Sequence, residues 1–403
     1  MRCEALILGL ALAGAAAAQE GAGVELSERG WDPVNRRVLD RWLGEVAKRE
    51  GKRSAVFDFD NTCIFHDCGE ATFRFQLDRL HFRITPAQLR ELIPAEIQGV
   101  AKLRGGESIA DVRADLLAAW EELFPRLELG ERQQAMGSPA HRDFRARLLW
   151  LYEEANATPG IGATWSYPLL AQLLAGYTAD EVGTLAVGAL RTVEQEAPGK
   201  ASWETATPGR SGARTVEFVT GIREQPEMID LIRALQRVGV ECWIVSASTE
   251  AVVEAVAAEL RYPIDAEHIF GVRTVRDEKG VFTPRQVPLA EYPLTWRQGK
   301  VDVLRKLGVE PLLVAGDTFT DVEMLTKFPA TEVRLLVNRN QVRGELVALY
   351  QDGLTAGERA PAPGKPRVIL QGRDEPQAKF RPGLLTIPLG EKEPKGIEVG
   401  GGR

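Results

Sequence analysis

The sequence predicts an α/β protein with a doubly wound parallel sheet and an α-helical domain inserted after the first strand. Three observations favour this fold. Four short apolar runs each end in polar residues, which is typical of strands in an open parallel sheet. Helical periodicities lie between these runs. The interval between the first two runs is much longer than a parallel crossover requires, so we expect an additional unit there.

The first apolar run, residues 54–57, is followed by Asp58 and Asp60 and then by an amide and a hydroxyl. Because it is short, bounded and rich in Val and Phe, we interpret it as a buried central strand. Three later runs end in the same way, at Ser246, at Asp317 and at Asn338. The carboxyl ends of parallel strands meet at one edge of a sheet, so we expect these polar groups to share one crevice.

Length and charge limit the possible classes of protein. A chain of 403 residues is too long for one typical hydrophobic core, so we expect two domains. With 44% hydrophobic and 27% charged residues, the composition is that of a globular protein. The net charge of −7 disfavours binding to nucleic acid or to an anionic membrane, because both require a basic surface.

Residues 1–18 resemble a secretory signal, with Arg2 before an apolar stretch and small residues before a cleavage point near Ala18. We therefore expect a periplasmic or secreted protein. No later run approaches the roughly 18 apolar residues that a membrane span requires. Three cysteines follow the signal segment, and either a disulfide or buried free thiols would suit two of them, Cys63 and Cys68.

The predicted domains are a sheet domain formed by residues 19–65 and 218–350, an inserted helical cap over 66–217, and a C-terminal tail over 351–403 that wraps the surface. In the sheet domain, a helix begins after Asp32-Pro33. Further helices are predicted over 227–238, 249–260, 300–307 and near 320–327, with a hairpin over 272–284.

In the cap, Thr85 begins a capping-box sequence. Four helical stretches follow, near 107–123, 139–155, 168–175 and 178–196, before a loop over 197–215. Because the cap enters directly after Thr62, we expect it to cover the crevice as a lid, with hinges at 63–67 and 220–225.

The polar groups at the strand ends form a set that can transfer a phosphoryl group. A carboxylate at a strand tip, such as Asp58, can attack phosphorus and form an aspartyl-phosphate. Two residues further on, Asp60 can protonate the leaving oxygen and later deprotonate water. Lys300 adds a positive charge for the phosphoryl oxygens, and Ser246 and Thr62 add hydroxyl donors.

A phosphate group that faces several carboxylates needs a positive counter-charge, and we expect Mg²⁺ to supply it. The candidate ligands are the four carboxylates of this set, Asp58, Asp60, Asp317 and Asp321. Asp321 can instead orient metal-bound water or Lys300, and an aspartate in the first turn of a helix is common for structural reasons alone.

In this order, these residues resemble the four motifs of the haloacid dehalogenase (HAD) superfamily. The motifs are Asp58-Phe59-Asp60-Asn61-Thr62, Ser246 after a strand, Gly299-Lys300, and Gly316-Asp317-Thr318-Phe319-Thr320-Asp321. The resemblance covers residues 52–65 and 218–340. It implies a Rossmannoid core, a nucleophilic Asp58, an acid/base Asp60, phosphate ligands Ser246 and Lys300, and a metal ligand Asp317.

Within the superfamily, the long helical insert after the first motif is similar to that of phosphoserine phosphatase-like members. The exported character, residues 245–248 and Asn338-Arg339-Asn340 resemble bacterial phosphorylcholine phosphatases. Asp60 argues against dehalogenation, because the dehalogenases of this superfamily lack the second aspartate.

The cap is rich in aromatic residues, and these are the candidates for substrate specificity. Trp165, Tyr167 and the carboxylate of Glu70 could enclose a quaternary ammonium group through cation–π contacts. Packing among the cap helices is the alternative explanation for the aromatic side chains.

The function predicted is an exported Mg²⁺-dependent phosphomonoesterase that acts on a small phosphorylated alcohol or amine, with phosphorylcholine among the candidates. A phosphotransferase or phosphomutase is a second hypothesis, and it would require an additional site for the acceptor. A catalytically idle binding protein with this fold is a third. Retention of Asp58, Asp60 and Lys300 together argues against the third, because an idle protein has no chemical need for them.

Overall fold

The computed structural model describes residues 25–397, so the predicted signal segment, residues 1–18, lies outside the described residues. In chain order, the strands are β1 (Ser54–Phe57), β2 (Ile64–Phe65), β3 (Gly199–Glu204), β4 (Thr215–Thr220), β5 (Arg223–Glu224), β6 (Glu241–Thr249), β7 (Ile269–Val272), β8 (Thr274–Arg276), β9 (Phe282–Gln286), β10 (Pro311–Gly316), β11 (Val333–Asn338), β12 (Arg367–Asp374) and β13 (Lys379–Phe380). The helices are α1 (Pro33–Val46), α2 (Cys68–Arg79), α3 (Pro86–Leu92), α4 (Ile109–Glu128), α5 (Arg132–Ala135), α6 (Pro139–Ala157), α7 (Ala163–Gln172), α8 (Ala179–Val193), α9 (Pro226–Arg237), α10 (Glu250–Glu259), α11 (Gln298–Lys306), α12 (Val322–Thr326) and α13 (Leu346–Thr355).

The predicted α/β fold class is confirmed by a seven-stranded sheet in the order β13-β12-β11-β10-β1-β6-β7. Neighbouring strands are parallel except for the pair β12 and β13. The four strands predicted from the sequence, β1, β6, β10 and β11, lie side by side, with β1 between β10 and β6. Their carboxyl ends therefore meet at one edge of the sheet, where ligands bind in open α/β folds.

Helices cover both faces of the sheet. Alternate residues of a strand point to opposite faces, so each strand contributes apolar side chains to both layers of helices. Ala55 and Phe57 of β1 pack in one apolar core with α1, α9 and α10. Val56, between them, packs in a second core with α11, α12 and α13. Burial on both sides explains why these strands have nearly continuous apolar sequences.

The inserted cap has an apolar core of its own, to which α2 to α7 contribute. Thr85 forms the predicted capping box at the start of α3. The other helical stretches predicted for the cap correspond, with shifted ends, to α4, α6, α7 and α8.

The loop predicted over residues 197–215 is wrong in part, because residues 199–204 form β3, which pairs with β4 in an antiparallel hairpin. Residues 205–214 are the loop between the two strands. Trp203 and Phe218 on the two strands pack together, with ring centroids 4.8 Å apart, against the apolar core of the cap. The cap therefore combines helices with one hairpin. Gly and Pro residues in this stretch favour a turn, but the strands on either side of it pack on α6 through the buried Val216 and the half-buried Trp203 and Phe218.

The cap is attached to the sheet domain at more places than the two predicted hinges. The hinge segments themselves pair as a short antiparallel ribbon, β2 with β5. Residues of α8 belong to the same apolar core as the sheet, and Arg191 of α8 forms an ion pair with Glu259. Backbone hydrogen bonds also join Gly176 and Tyr177 to Phe282 of β9. Bending at the two predicted hinges, residues 63–67 and 220–225, would therefore not be enough to let the cap move freely as a lid.

The predicted boundary between the sheet domain and a C-terminal tail, at residue 350, is wrong. Strand β12 pairs in parallel with β11 from Val333↔Arg367 to Asn338↔Gly372, so the sheet continues into the region predicted as tail. The run Val368, Ile369 and Leu370 is buried. Burial of this run against α13 and the neighbouring strand explains why it joins the sheet despite the Pro- and Gly-rich sequence that precedes it.

Over residues 25–397, none of the helices has both the length and the apolar composition needed to cross a bilayer. Within the same range, Cys63, Cys68 and Cys242 are buried free thiols. Of the two alternatives for Cys63 and Cys68, the structure therefore has the thiols.

Candidate active site

Asp58 lies at the carboxyl end of β1, in the middle of the sheet edge. Its backbone N–H donates to the carbonyl of Ala315 on β10, at 3.0 Å, which fixes the start of the loop after β1. The side chain is buried and makes two polar contacts. Asp58 Oδ1 accepts from Lys300 Nζ at 2.6 Å, and Oδ2 accepts from Thr62 Oγ1 at 3.2 Å.

A tight turn after β1 places Asp60 beside Asp58. The carbonyl of Phe59 accepts hydrogen bonds from the backbone of Thr62, Cys63 and Ile64. Asn61 adopts φ 63°, in the left-handed region that few non-glycine residues occupy. The carbonyl of Phe59 therefore closes the turn by accepting from three donors.

Asp60 faces the cap side of the site. Its Oδ1 accepts from the backbone N–H of Cys68, at the start of α2, at 2.8 Å. Its Oδ2 accepts from the hydroxyl of Ser246, at 2.9 Å. Asp60 is therefore connected both to the cap and to strand β6.

Lys300 is the central cation of the site and is 1% exposed. Helix α11 places its Nζ between Asp58 Oδ1 and Asp321 Oδ1, at 2.6 and 2.7 Å. Burial acts to lower the pKa of Lys300, but the charges of Asp321 and Asp58 and their hydrogen bonds raise it overall. Lys300 is therefore charged at neutral pH.

Asp321 is positioned to hold its neighbours. Its Oδ1 contacts Lys300, and its Oδ2 accepts from the backbone N–H groups of Asp317 and Thr318, at 3.0 and 3.3 Å. Both oxygens are therefore occupied. Asp321 shapes the loop that carries Asp317 and orients the lysine.

Three of the four predicted metal ligands lie together. Carboxylate oxygens of Asp58, Asp317 and Asp321 are all within 4.8 Å of one another. Asp60 is outside this group, because its carboxylate is turned towards Cys68 and Ser246. The prediction that the Asp60 side chain is a metal ligand is not supported by this geometry.

The charge balance of the site suits a divalent cation. Burial raises the pKa of Asp58 well above its usual range, and it raises the pKa of Asp317 to about 6. Both carboxylates therefore resist ionisation, although Lys300 forms an ion pair with Asp58 and Arg339 with Asp317. A cation bound between Asp58 and Asp317 would remove that penalty, and carboxylate oxygens are ligands that Mg²⁺ prefers. Asp58 and Asp317 can thus hold Mg²⁺.

A cavity of about 390 Å³ opens between the sheet edge and the cap. Its floor carries Asp58, Asp60, Lys300 and Asp317. Its cap wall is formed by acidic and aromatic side chains, namely Asp67, Glu70, Tyr152, Glu153 and Tyr167. The reactive groups and the cap therefore face the same space, which is large enough for a small phosphorylated molecule.

The predicted binding residues divide into those that face the cavity and those that do not. Glu70 and Tyr167 line it. Trp165 does not, and packs against the apolar core of the cap instead. Residues two apart on a helix point in nearly opposite directions, so Trp165 and Tyr167 cannot share one face of α7.

Thr62 and Ser246, predicted to bind phosphate, donate their hydroxyl protons to Asp58 and Asp60.

Several residues that line the site are not among the catalytic, binding or metal residues predicted from the sequence. Arg339, after β11, donates from Nη1 to Asp317 Oδ2 at 2.7 Å and lines the cavity. Its position after a parallel strand was a usable signal. Tyr152 and Glu153 lie on α6, where nothing in the helical pattern distinguishes them from packing residues.

Two titratable groups of the cavity have strongly shifted pKa values. Burial, together with the charge of Glu70, raises the pKa of Glu153 to about 8. Burial and the nearby charges of Arg373 and Arg339 lower the pKa of His66 to about 3. His66 is therefore neutral at physiological pH, and the cap wall can hold protonated carboxyl groups when no cation faces it.

Comparison with known proteins identifies the part of the chain that carries a family signal. The model of the haloacid dehalogenase-like hydrolase family matches residues 144–326. This range includes Ser246, Lys300, Asp317 and Asp321 and begins after the turn that carries Asp58 and Asp60. No curated protein matches the chain significantly.

Solved structures support the fold. A conserved protein of unknown function from Anaerococcus prevotii is similar over 92% of this chain and 100% of its own, with a TM-score of 0.76 and 24% identity. A protein of unknown function from Bordetella pertussis has 17% identity and a TM-score of 0.39, covering 75% of this chain and 96% of its own. A phosphoserine phosphohydrolase-like protein from Francisella tularensis has 15% identity and a TM-score of 0.31, covering 73% and 91%. Only the first of the three is similar enough to bear on the fold, which it shares almost from end to end.

Proposed function

We propose that the chain is an Mg²⁺-dependent phosphomonoesterase of the haloacid dehalogenase type, acting through an aspartyl-phosphate. The observation that supports this most directly is the setting of Asp58. It is buried at the floor of the cavity, in contact with Lys300, with Asp60 two residues away and Asp317 beside it. The family match over residues 144–326 is consistent with this chemistry.

In the first step, an oxygen of Asp58 attacks phosphorus, and a new O–P bond forms as the ester P–O bond breaks. Asp60 gives its proton to the departing alkoxide, which leaves as the alcohol. In the second step, Asp60 takes a proton from water, and the water oxygen attacks phosphorus. The acyl phosphate bond then breaks, inorganic phosphate leaves, and Asp58 is restored.

The neighbours of these two aspartates prepare both steps. Lys300 holds Asp58 in one orientation and offsets the negative charge that accumulates on the phosphoryl oxygens. Ser246 and the backbone of Cys68 hold the carboxyl of Asp60 away from Asp58. When bound at Asp58 and Asp317, Mg²⁺ would supply further positive charge to the phosphoryl group.

Removal of divalent cations should abolish hydrolysis of p-nitrophenyl phosphate. The floor of the cavity carries several carboxylates against Lys300 and Arg339, so an anionic substrate should bind poorly without a cation. We expect Mg²⁺ to restore the activity of EDTA-treated protein. Ca²⁺ should inhibit it, because its larger and less regular coordination shell distorts in-line attack. Full activity in the presence of EDTA would rule out the metal assignment.

For the leaving group, we propose a cation such as the choline group of phosphorylcholine. The cap wall combines carboxyl groups of Asp67, Glu70 and Glu153 with the rings of Tyr152 and Tyr167. Arg74 is a weak counter-charge for them, at 3.8 Å from Glu70. A substrate ammonium group would complete this charge balance and could stack on an aromatic face.

We expect Tyr167→Ala to raise the KM for phosphorylcholine about tenfold, which corresponds to 1–2 kcal/mol of lost cation–π contact. The KM for p-nitrophenyl phosphate should change much less, because that substrate carries no cation. Trp165→Ala is the matched control, since both side chains pack against the cap core from the same helix but only Tyr167 lines the cavity. It should affect both substrates equally through stability. Equal losses with Tyr167→Ala would contradict the cationic substrate.

We also propose that the protein is exported, on the basis of the signal-like sequence of residues 1–18. Cell fractionation of the natural host checks this, with activity expected outside the cytoplasm.

A further inference from the structure

Arg373, at the end of β12, contacts the turn that carries the reacting aspartates. It is 1% exposed. Its Nη1 donates to the backbone carbonyl of Asn61 at 3.0 Å. Its guanidinium also lies over the ring of Phe65, 4.3 Å from the centroid. One side chain from the C-terminal part of the sheet therefore touches both the turn after β1, at Asn61, and strand β2, at Phe65.

The position of Arg373 is itself well defined. Its guanidinium pairs with Glu375, with Nε 3.0 Å from Oε1 and Nη2 donating to Oε2 at 3.2 Å. Its backbone N–H donates to Thr386 Oγ1 at 3.0 Å, and its carbonyl accepts from Ile387 N at 2.9 Å. The segment after β13 thus holds Arg373 from the backbone side.

The contact with Asn61 matters because of the conformation of that residue. Asn61 lies between Asp60 and Thr62, and it adopts the left-handed φ of 63°. Its N–H donates to the carbonyl of His66 at 3.0 Å, and its carbonyl accepts from Arg373. Uncommon backbone conformations persist where the surroundings hold them. Arg373 fixes the peptide plane between Asn61 and Thr62, next to the acid/base residue.

We propose that Arg373 is a positioning residue for phosphoryl transfer, which keeps Asp60 aligned with the leaving oxygen by holding the carbonyl of Asn61. The C-terminal region that contains β12 is then part of the catalytic unit. The proposal rests on the function proposed above. None of the motif residues lies in this region. Turnover therefore requires a residue outside the four motifs.

Arg373→Lys keeps a positive charge but loses the planar guanidinium that reaches Asn61 and Glu375 together. An alkyl phosphate needs a proton on its leaving oxygen, whereas p-nitrophenolate leaves without one. If Asp60 is misaligned, kcat/KM should fall about 100-fold for glycerol 2-phosphate and about tenfold or less for p-nitrophenyl phosphate. Arg381→Lys, which breaks a contact with the Leu385 carbonyl in the same segment, is the matched control and should change neither.

Amide hydrogen exchange of residues 57–67 supplies a readout that does not depend on activity. We expect exchange in this segment to accelerate in Arg373→Lys and to stay unchanged in Arg381→Lys. If the wild type hydrolyses neither substrate, the proposed function fails, and the exchange experiment still decides whether Arg373 holds the turn. If Arg373→Lys does not fold, Glu375→Gln should show the same pattern more weakly. Unchanged exchange in 57–67, or equal loss of kcat/KM on both substrates, would overturn the proposal.

Discussion

Asp58→Asn should lower the turnover of p-nitrophenyl phosphate by about 10³-fold or more and abolish the trapped phosphoenzyme. The amide oxygen of asparagine is a poor nucleophile, and no other carboxylate replaces Asp58 at the tip of β1 among residues 25–397. The fold should survive, because asparagine can retain a contact with Lys300 or Thr62. Burial and the charge of Asp321 already raise the pKa of Asp58, so a neutral side chain removes an unfavourable charge.

The measurement is acid-quenched incubation with labelled substrate, together with thermal unfolding of the same preparation. Asp352→Asn, on the exposed side of α13, provides the control for loss of a carboxylate elsewhere. More than a few per cent of residual activity would remove Asp58 from the role of nucleophile. So would a phosphoenzyme of normal yield in the variant.

The part of the fold that could be predicted from the sequence is the part with a local signal. The strands β1, β6, β10 and β11 are apolar runs that end in polar residues, and each pattern lies within about ten residues. Strand β12 has the same pattern, since Val368–Leu370 precede Gln371 and Arg373. The Pro- and Gly-rich sequence before it nevertheless predicts a tail, and its pairing with β11 depends on tertiary contacts.

The hairpin in the cap was missed for a related reason. Residues 199–220 contain three Gly residues and one Pro, and the alternation of apolar side chains is short. The two strands are joined by pairs such as Trp203 with Val216, ten or more residues apart around the loop. Both strands also pack on α6, and no local pattern in the sequence indicates that tertiary contact.

The reacting groups were predictable because they occur in short motifs at strand ends. Their detailed contacts were not, since Ser246 and Thr62 turn their hydroxyls to the aspartates and leave phosphate contact to other donors. The residues from distant elements, Arg339 and Arg373 above all, reach the site only through the order of strands in the sheet. The aromatic character of Trp165 predicts a place in the cavity, but helical geometry turns its side chain to the apolar core of the cap.

Lys300→Met should have the largest effect on stability, a loss of about 3–5 kcal/mol in the free energy of unfolding. Lys300 is buried between Asp58 and Asp321, so its removal leaves two buried carboxylates without their shared counter-ion. Turnover should fall about 100-fold or more, because a charge that faces the phosphoryl oxygens is lost. Denaturation in urea with EDTA present measures the stability effect without help from a cation.

The loss of stability caused by Lys300→Met should depend on pH, because the carboxylates that face Lys300 change their charge with pH. Burial and the charge of Asp321 raise the pKa of Asp58, and Lys300 opposes that rise, so its loss moves the folded-state pKa further above the unfolded value. A group with a raised acid pKa contributes stability at low pH that is lost as the pH rises. Lys300→Met should therefore be closer to the wild type at pH 5 than at pH 8. Lys306→Met, at the exposed end of the same helix, is the control and should change the free energy of unfolding little at either pH. If Lys300→Met lost the same stability at pH 5 and at pH 8, the carboxylates would not be the groups that Lys300 stabilises.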